Sequence, residues 1–298
     1  MRVFVTGASG LVGSSLCSEL AAEGHEVVGL SRSSRNRGPI RWRVGDPTEQ
    51  GEWTQEAGTA DAVVHLAGES VASARWTEAR KRELVRSRID STRNLVDAFA
   101  SSSDRPRVFV CASAAGYYGA RGEEELVETS PPGDDFLARL CVDWEAEAER
   151  ASLYGIRVVH LRFGVVLGRD GGALATMLPI FRLGLGGPLG PPRRWFPWLA
   201  LDDAVGLLRF GIEGEVSGPL NGVGPTPVRM GEFARTLGRV LGRPAFLPVP
   251  EVALKLALGE MGGSLIPGQK IVPQVATRAG YAFRHDTLES ALRSELSG

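Results

Sequence analysis

The segment Thr6-Gly7-Ala8-Ser9-Gly10-Leu11-Val12-Gly13 constrains this chain more than any other. It follows a short apolar run, Arg2–Thr6, and opens an amphipathic stretch, Leu11–Glu23. The spacing is G-x-x-G-x-x-G between a predicted strand and a predicted helix. In that context each glycine has a physical task. Gly7 permits a tight turn, Gly10 lets backbone approach a bound pyrophosphate, and Gly13 lets helix and strand pack closely. The helix N-terminus adds unpaired N–H groups and a positive dipole end. Gly7, Ser9, Gly10, Leu11, Val12 and Gly13 are therefore expected to hold a dinucleotide.

The residues that follow extend the pattern. Strand candidates at Glu26–Ser31, Arg41–Val44, Ala62–Leu66, Arg107–Cys111 and Arg157–Leu161 alternate with helical stretches at Glu78–Ala100 and Phe136–Leu153. That alternation predicts an α/β fold with a doubly wound parallel sheet. Ala62–Leu66 reads as continuously apolar, as a strand buried on both faces does. After Gly164 the texture changes, and Gly and Pro crowd Gly168–Pro197, which predicts loops. A helix from Asp202, a strand near Pro219–Asn221 and a helix from Met230 are expected beyond it. From Pro248 the tail alternates helix with Pro/Gly breaks. The expected organisation is a dinucleotide-binding domain over residues 1–165, with segments near 195–222 returning to it. A smaller α+β substrate or lid region over 166–298 completes it, with a distinct C-terminal part from about 248.

Strand two ends at Leu30-Ser31-Arg32, where an NAD-binding fold usually carries an acid for the ribose 2′-OH. Ser31 and Arg32, with Arg35 and Arg37 close in sequence, suit a 2′-phosphate, so the cofactor expectation is NADP(H); a solvated basic loop is the alternative. Strand four ends in His65-Leu66-Ala67-Gly68, where small residues let a backbone edge pass beside the cofactor. His65 reads as a core histidine. In Glu78–Ala100, Arg88 falls on the stripe of Leu84, Val85, Ile89, Thr92, Leu95, Val96 and Phe99. A buried arginine needs a partner, which Glu83, a cofactor phosphate or a backbone carbonyl would provide. Arg80, Lys81, Arg82 and Arg86 read as a solvated face.

Composition narrows the classes that remain. The 298 residues carry 34 Lys+Arg against 35 Asp+Glu, so nothing global favours nucleic acid or an anionic membrane. No apolar run is long enough to span a bilayer. Three scattered cysteines, Cys17, Cys111 and Cys141, suit a reducing compartment and give no zinc spacing. A cytoplasmic location without a leader, no metal, and a monomer or homodimer are expected.

Several blocks together resemble an atypical extended short-chain dehydrogenase/reductase. Thr6–Gly13, Leu66-Ala67-Gly68-Glu69 with Arg75-Trp76, and Ser113-Ala114-Ala115-Gly116-Tyr117-Tyr118-Gly119 are three of them. Leu140-Cys141 with Trp144-Glu145, Gly164–Gly168, Phe181–Pro188, and Gly268-Gln269-Lys270 with Gly280–Phe283 are the others. They match the "epimerase family" branch of NAD-dependent epimerase/dehydratase-like proteins, with a C-terminal domain of unknown function of the DUF1731 type. The resemblance implies a Rossmann domain binding NADP(H) through the glycine loop, Ser31, Arg32, Leu66, Ala67, Glu83, Arg88 and Val166. In relatives outside this branch an asparagine stands where this chain has Arg88.

The usual superfamily chemistry uses Ser/Thr with a Tyr acid/base and a Lys four residues later, on one helix face. Counting back from Glu145, those last two positions are Leu137 and Cys141, which cannot do that work; Cys141 reads as a small core residue. Ser113 is a candidate for orienting a substrate oxygen. Tyr117 and Tyr118 are candidate proton donors, with packing beside the nicotinamide as the alternative. Arg182, Arg193, Arg194, Trp195, Phe196 and Trp198 suit either an anionic or sugar-nucleotide ligand or a hydrophobic lid. Two functions follow: an NADP(H)-dependent, epimerase-like oxidoreductase acting on a small polar carbonyl compound, or a catalytically silent NADP(H)-binding regulator or scaffold.

Overall fold

A computed structural model describes residues 1–34, 38–250, 252, 256, 259 and 268–297. Arg35, Arg37 and most of residues 251–267 lie outside the described residues. The chain forms two compact units. The first comprises Met1–Ser113, Leu140–Leu161 and Val205–Pro219, and the second Ala114–Arg139, Arg162–Ala204 and Leu220–Gly298.

The first unit is built on apolar strands. β1 (Arg2–Thr6), β2 (Glu26–Ser31), β3 (Arg41–Val44), β4 (Ala62–His65) and β5 (Val108–Ala114) join β7 (Arg157–Phe163) and β11 (Gly218–Gly222) in a seven-stranded sheet of order β11-β7-β5-β4-β1-β2-β3. β1 pairs parallel with β2 and β4, β2 with β3, and β4 with β5. The order steps outward from β1 in both directions, which is the doubly wound arrangement that places a crevice at the strands' carboxyl ends. Val3, Phe4, Val5, Val63, Val64, Phe109 and Val110 are buried, as their continuous apolar runs require.

Helices cover the sheet. α1 (Leu11–Ala22) buries Leu16 and Leu20 and stops at Glu23 before Gly24, whose φ of 82° reverses the chain. α2 (Trp53–Gly58) is a short helix that the sequence pattern did not mark. α3 (Glu78–Ser101) starts at Thr77, whose hydroxyl accepts the Arg80 N–H at 3.2 Å. It buries Leu84, Ser91, Thr92, Leu95, Val96 and Phe99, with Phe99 edge-on to Phe109 at 5.2 Å. α4 (Phe136–Glu149) is followed by a tighter turn over Arg150–Tyr154.

The second unit corrects one expectation. The Gly/Pro-rich stretch after Gly168 contains a helix, α5 (Gly172–Arg182), which tolerates Pro179 in its interior. Leu174, Met177, Leu178 and Phe181 recur at helical spacing and enter a core with Phe196, Trp198, Phe233, Leu237, Leu288 and Leu292. That burial outweighs the breaker residues. The short strand β6 (Glu125–Leu126) pairs parallel with β13 (Lys270–Ile271). β8 (Val165–Leu167) pairs with β10 (Trp198–Ala200), and β9 (Trp195–Phe196) with β12 (Val228–Arg229). α6 (Leu201–Glu213), α7 (Met230–Leu241), α8 (Gln274–Arg278) and α9 (Leu288–Leu296) complete the described elements.

Candidate functional site

Gly7 adopts φ 67°, a conformation that side-chain-bearing residues avoid. A Cβ there would lie 2.6 Å from the Leu66 carbonyl carbon, so the glycine lets the end of β4 pass against the loop. Thr6 fixes that approach: its hydroxyl accepts the Ala67 N–H at 3.2 Å and meets His65 Nδ1 at 2.6 Å. Gly10 caps α1 without a side-chain hydrogen bond, and no acid occupies the first turn. The N–H groups of Leu11, Val12 and Gly13 thus form a helix start suited to an anion.

A cavity of about 670 Å³ opens at this point. That volume falls in the range of small-molecule and cofactor sites. Gly7, Ser9 and Gly10 line one side, Ser31 and Arg32 the end of β2, and Leu66, Ala67 and Gly68 the end of β4. Glu83 lines it from α3. The structure therefore gathers these sequence-predicted positions around one space. Arg88 sits just behind it, half-buried. Its guanidinium donates to the Glu69 carbonyl at 3.0 Å and the Leu84 carbonyl at 3.2 Å, and packs over Trp144 at 5.2 Å. Backbone carbonyls are thus the partners that its position demanded. Val166 belongs to the second unit, in register with Leu199 on β10.

Further lining residues carried no cofactor expectation from sequence: the loop Asp46–Glu49 after β3, and Glu69, Arg80, Arg86 and Ser87. Burial raises the Asp46 carboxyl. The Thr48 backbone N–H and hydroxyl, at 2.8 and 2.7 Å, with the charges of Arg32 and Arg86, outweigh this and hold it below its usual range. Arg80 corrects the expectation of a solvated face. Its side chain is only 13% exposed and donates to Glu83 at 2.8 Å and to the Ser70 carbonyl and Ser73 hydroxyl at 2.7 Å.

The expected chemistry residues are arranged differently. Ser113 is 3% exposed, and its hydroxyl donates to Glu145 Oε1 at 2.6 Å. Leu137 and Cys141, at the positions where the superfamily carries Tyr and Lys, are buried. His65 is a core residue between Thr6 and Ser91, whose hydroxyl is 3.0 Å from Nε2. Burial, then the Arg88 charge, pushes its pKa down to about 3.

In the second unit Tyr118 is fully buried. It donates to Asn221 Oδ1 at 2.6 Å and accepts from Arg162 at 2.9 Å. Burial pushes its phenol up to about 12 against the opposing pull of Arg162. Tyr117 is half-buried, its ring stacked on the Arg162 guanidinium at 3.4 Å. The Arg/Trp group divides: Phe196 and Trp198 enter the core, while Trp195 lies under Arg229 at 4.1 Å and donates to Glu123 at 3.1 Å. Arg182 and Arg193 are exposed. Among the described residues, Glu23, His25 and Glu213 come within metal-ligand spacing, but Arg209 pairs with both carboxylates.

A doubly wound sheet, a glycine loop at its first crossover and a cavity at the strands' carboxyl ends define a Rossmann-like dinucleotide-binding fold. The chain belongs to the NAD-dependent epimerase/dehydratase family, whose model matches residues 3–217. The domain of unknown function DUF1731 matches residues 249–295. A chloroplastic SDR39U1 homolog of Arabidopsis thaliana, an epimerase family protein, is 41% identical over 301 residues, covering 99% of this chain and 86% of that one. A crystal structure of human epimerase family protein SDR39U1 (isoform 2) with NADPH matches with TM-score 0.88 and 36% identity, covering 100% of this chain and 99% of that one. MoeE5, solved with UDP-glucose and NAD, shares the fold at TM-score 0.79 and 21% identity, covering 100% and 98%. No helix among the described residues is long and apolar enough to cross a membrane.

Proposed function

We propose that this chain binds NADP(H) in the cavity at the glycine loop and acts as an epimerase-like oxidoreductase on a small polar carbonyl or carbinol compound. The observation that carries the cofactor assignment is the joining of the α1 N-terminus to Ser31 and Arg32 in one cavity, with no acid at the end of β2. The NADPH in the human relative's structure supports it. The glycine loop suits the pyrophosphate, and Arg32 suits the 2′-phosphate. Leu11, Val12, Gly13, Arg88 and Val166 are assigned to the same cofactor. The nicotinamide, when bound, supplies or accepts the hydride. UDP-glucose in MoeE5 makes a sugar nucleotide one substrate class to test.

Among the three candidate hydroxyls we assign the proton to Tyr117. Ser113 and Tyr118 already serve Glu145 and Asn221, whereas Tyr117 is half-exposed and held by Arg162. A second reading, an NADP(H)-binding regulator without turnover, draws support from the buried Leu137 and Cys141. A cytoplasmic location, supported by three free buried cysteines, and a monomeric or homodimeric state complete the proposal.

Titration with NADPH and NADH, followed by a panel of carbonyl compounds and sugar nucleotides, tests these readings. NADPH should bind at least tenfold tighter than NADH; equal affinities discard the NADP(H) assignment. Turnover lost in Tyr117→Phe supports the enzyme. Tight NADPH binding with no turnover across the panel supports the regulator.

A further inference from the structure

The cavity assigned to an anionic cofactor carries four acids, Asp46, Glu49, Glu69 and Glu83, against three arginines, Arg32, Arg80 and Arg86. An acidic excess is the wrong sign for a phosphate site, unless the acids are held by the same arginines that the ligand uses. Glu69 shows how this works. Its Oε1 lies 3.1 Å from Arg32 Nη1, and its Oε2 lies 3.4 Å from both terminal nitrogens of Arg80. One carboxylate thus bridges two guanidiniums at the rim of the cavity.

The two guanidiniums are not equivalent. Arg80 is fixed by Ser70, Ser73 and Glu83, and taking it for a phosphate would break three hydrogen bonds of 2.7–2.8 Å. The Arg32 side chain is 71% exposed, so its pairing with Glu69 is solvated and readily exchanged. Arg32 is the cation that a ligand can recruit, and Glu69 is the anion that must release it.

Resting on the NADP(H) reading, we propose that Glu69 sets the strength of the 2′-phosphate preference by competing for Arg32. A cofactor with a 2′-phosphate draws Arg32 away from Glu69, while Arg80 continues to compensate the carboxylate. The displaced Glu69 charge stays near the phosphate and repels it. Both effects weaken binding of the phosphorylated cofactor and leave the 2′-OH form untouched. Glu69 therefore acts as a specificity-tempering residue that keeps NADP(H) exchangeable.

The test compares wild type, Glu69→Gln and Arg32→Ala by calorimetric titration with NADPH, NADH and 2′,5′-ADP. Glu69→Gln preserves shape and removes the charge, and Glu69→Ala serves as a second variant if the first melts early. Removal of the charge should tighten NADPH and 2′,5′-ADP about three- to fivefold and leave NADH within twofold. The gain should shrink at high salt and vanish in an Arg32→Ala background. A wild-type preference for NADPH with unchanged or weaker binding in both Glu69 variants overturns the proposal alone. Wild type without that preference, or with NADPH affinity unaffected by Arg32→Ala, overturns the underlying cofactor reading.

Discussion

The Ser113 hydroxyl donates to Glu145 at 2.6 Å, tying the end of β5 to α4 through a hydrogen bond that ends on a carboxylate. This turns a residue expected to face substrate into one that holds two elements together. Hydrogen bonds to charged groups contribute about 1.5–3 kcal/mol, and the half-buried Glu145 recovers part of that from water when the donor is lost. Ser113→Ala is expected to lower unfolding stability by about 1–2 kcal/mol in urea denaturation. Its NADPH affinity should stay within twofold of wild type. A tenfold loss of affinity at unchanged stability would return Ser113 to the ligand side.

Tyr118 poses a similar problem in the second unit, where removing one oxygen strands two partners. Asn221 Oδ1 loses its donor and Arg162 loses an acceptor, though Arg162 keeps the Glu128 carbonyl at 3.0 Å. A buried polar group left without its partner costs about 1–3 kcal/mol. Tyr118→Phe should therefore destabilise the fold by about 2–4 kcal/mol, counting both partners. The wild-type phenol adds an alkaline signature. Its folded pKa of about 12 lies above the ordinary 10, so the unfolded chain releases this proton first. Its contribution is complete below pH 10 and is lost as pH rises towards 12. Stability curves for wild type and Tyr118→Phe should converge over that interval; parallel curves would refute it.

How much of this was legible follows from which residues carry local constraints. Gly7 could be assigned because a positive φ and a close approach to Leu66 leave no other residue suitable. β1, β2, β4 and β5 were legible because each is short, apolar and bounded by turns, whereas β3, Arg-Trp-Arg-Val, is a largely exposed edge strand. α5 was obscured by Gly171, Gly172 and Pro179, although Leu174, Met177, Leu178 and Phe181 carried the helical period. The Asp46–Glu49 wall was not legible, since a polar loop shows nothing in sequence of what it will face. Ser113 illustrates the same limit on a strand: sequence placed it at the end of β5, but only the position of Glu145 shows where its hydroxyl is committed.

His65 gives the fold an acid-side weakness. Burial between Thr6 and Ser91, with the Arg88 charge, holds the ring neutral, with a pKa of about 3 against an ordinary value of 6.5. The unfolded chain binds this proton first as pH falls, so stability is complete above 6.5 and is lost progressively towards 3. The slope reaches at most about 1.4 kcal/mol per pH unit. His65→Asn removes that titration at the price of a poorer fit. Its stability should be lower than wild type at pH 7 and fall less steeply between pH 6 and 4. Equal slopes in the two proteins would place the acid sensitivity on other groups.

Gln269 links the C-terminal part of the chain to the loop that presents Tyr117. Its side-chain amide donates to the Ala115 carbonyl at 3.0 Å and the Gly119 carbonyl at 2.9 Å, closing the turn from both ends. The residue is buried, so water does not readily replace it. Nearby, Glu128 Oε1 accepts the backbone N–H groups of Asn221 and Val275, both at 3.1 Å, which fixes the following segment to the same wall. Gln269→Leu fills a similar volume and leaves two carbonyls without that donor. A loss of about 2–3 kcal/mol is expected. Hydrogen exchange should quicken in residues 114–119, while the amides of β1 and β4, in the other unit, keep their protection. If Tyr117 carries the proton, turnover should fall in step with the loosening of this loop at unchanged NADPH affinity, because the phenol is displaced and the cofactor cavity is not. A fall in NADPH affinity of the same size would instead make Gln269 a support of the cofactor site.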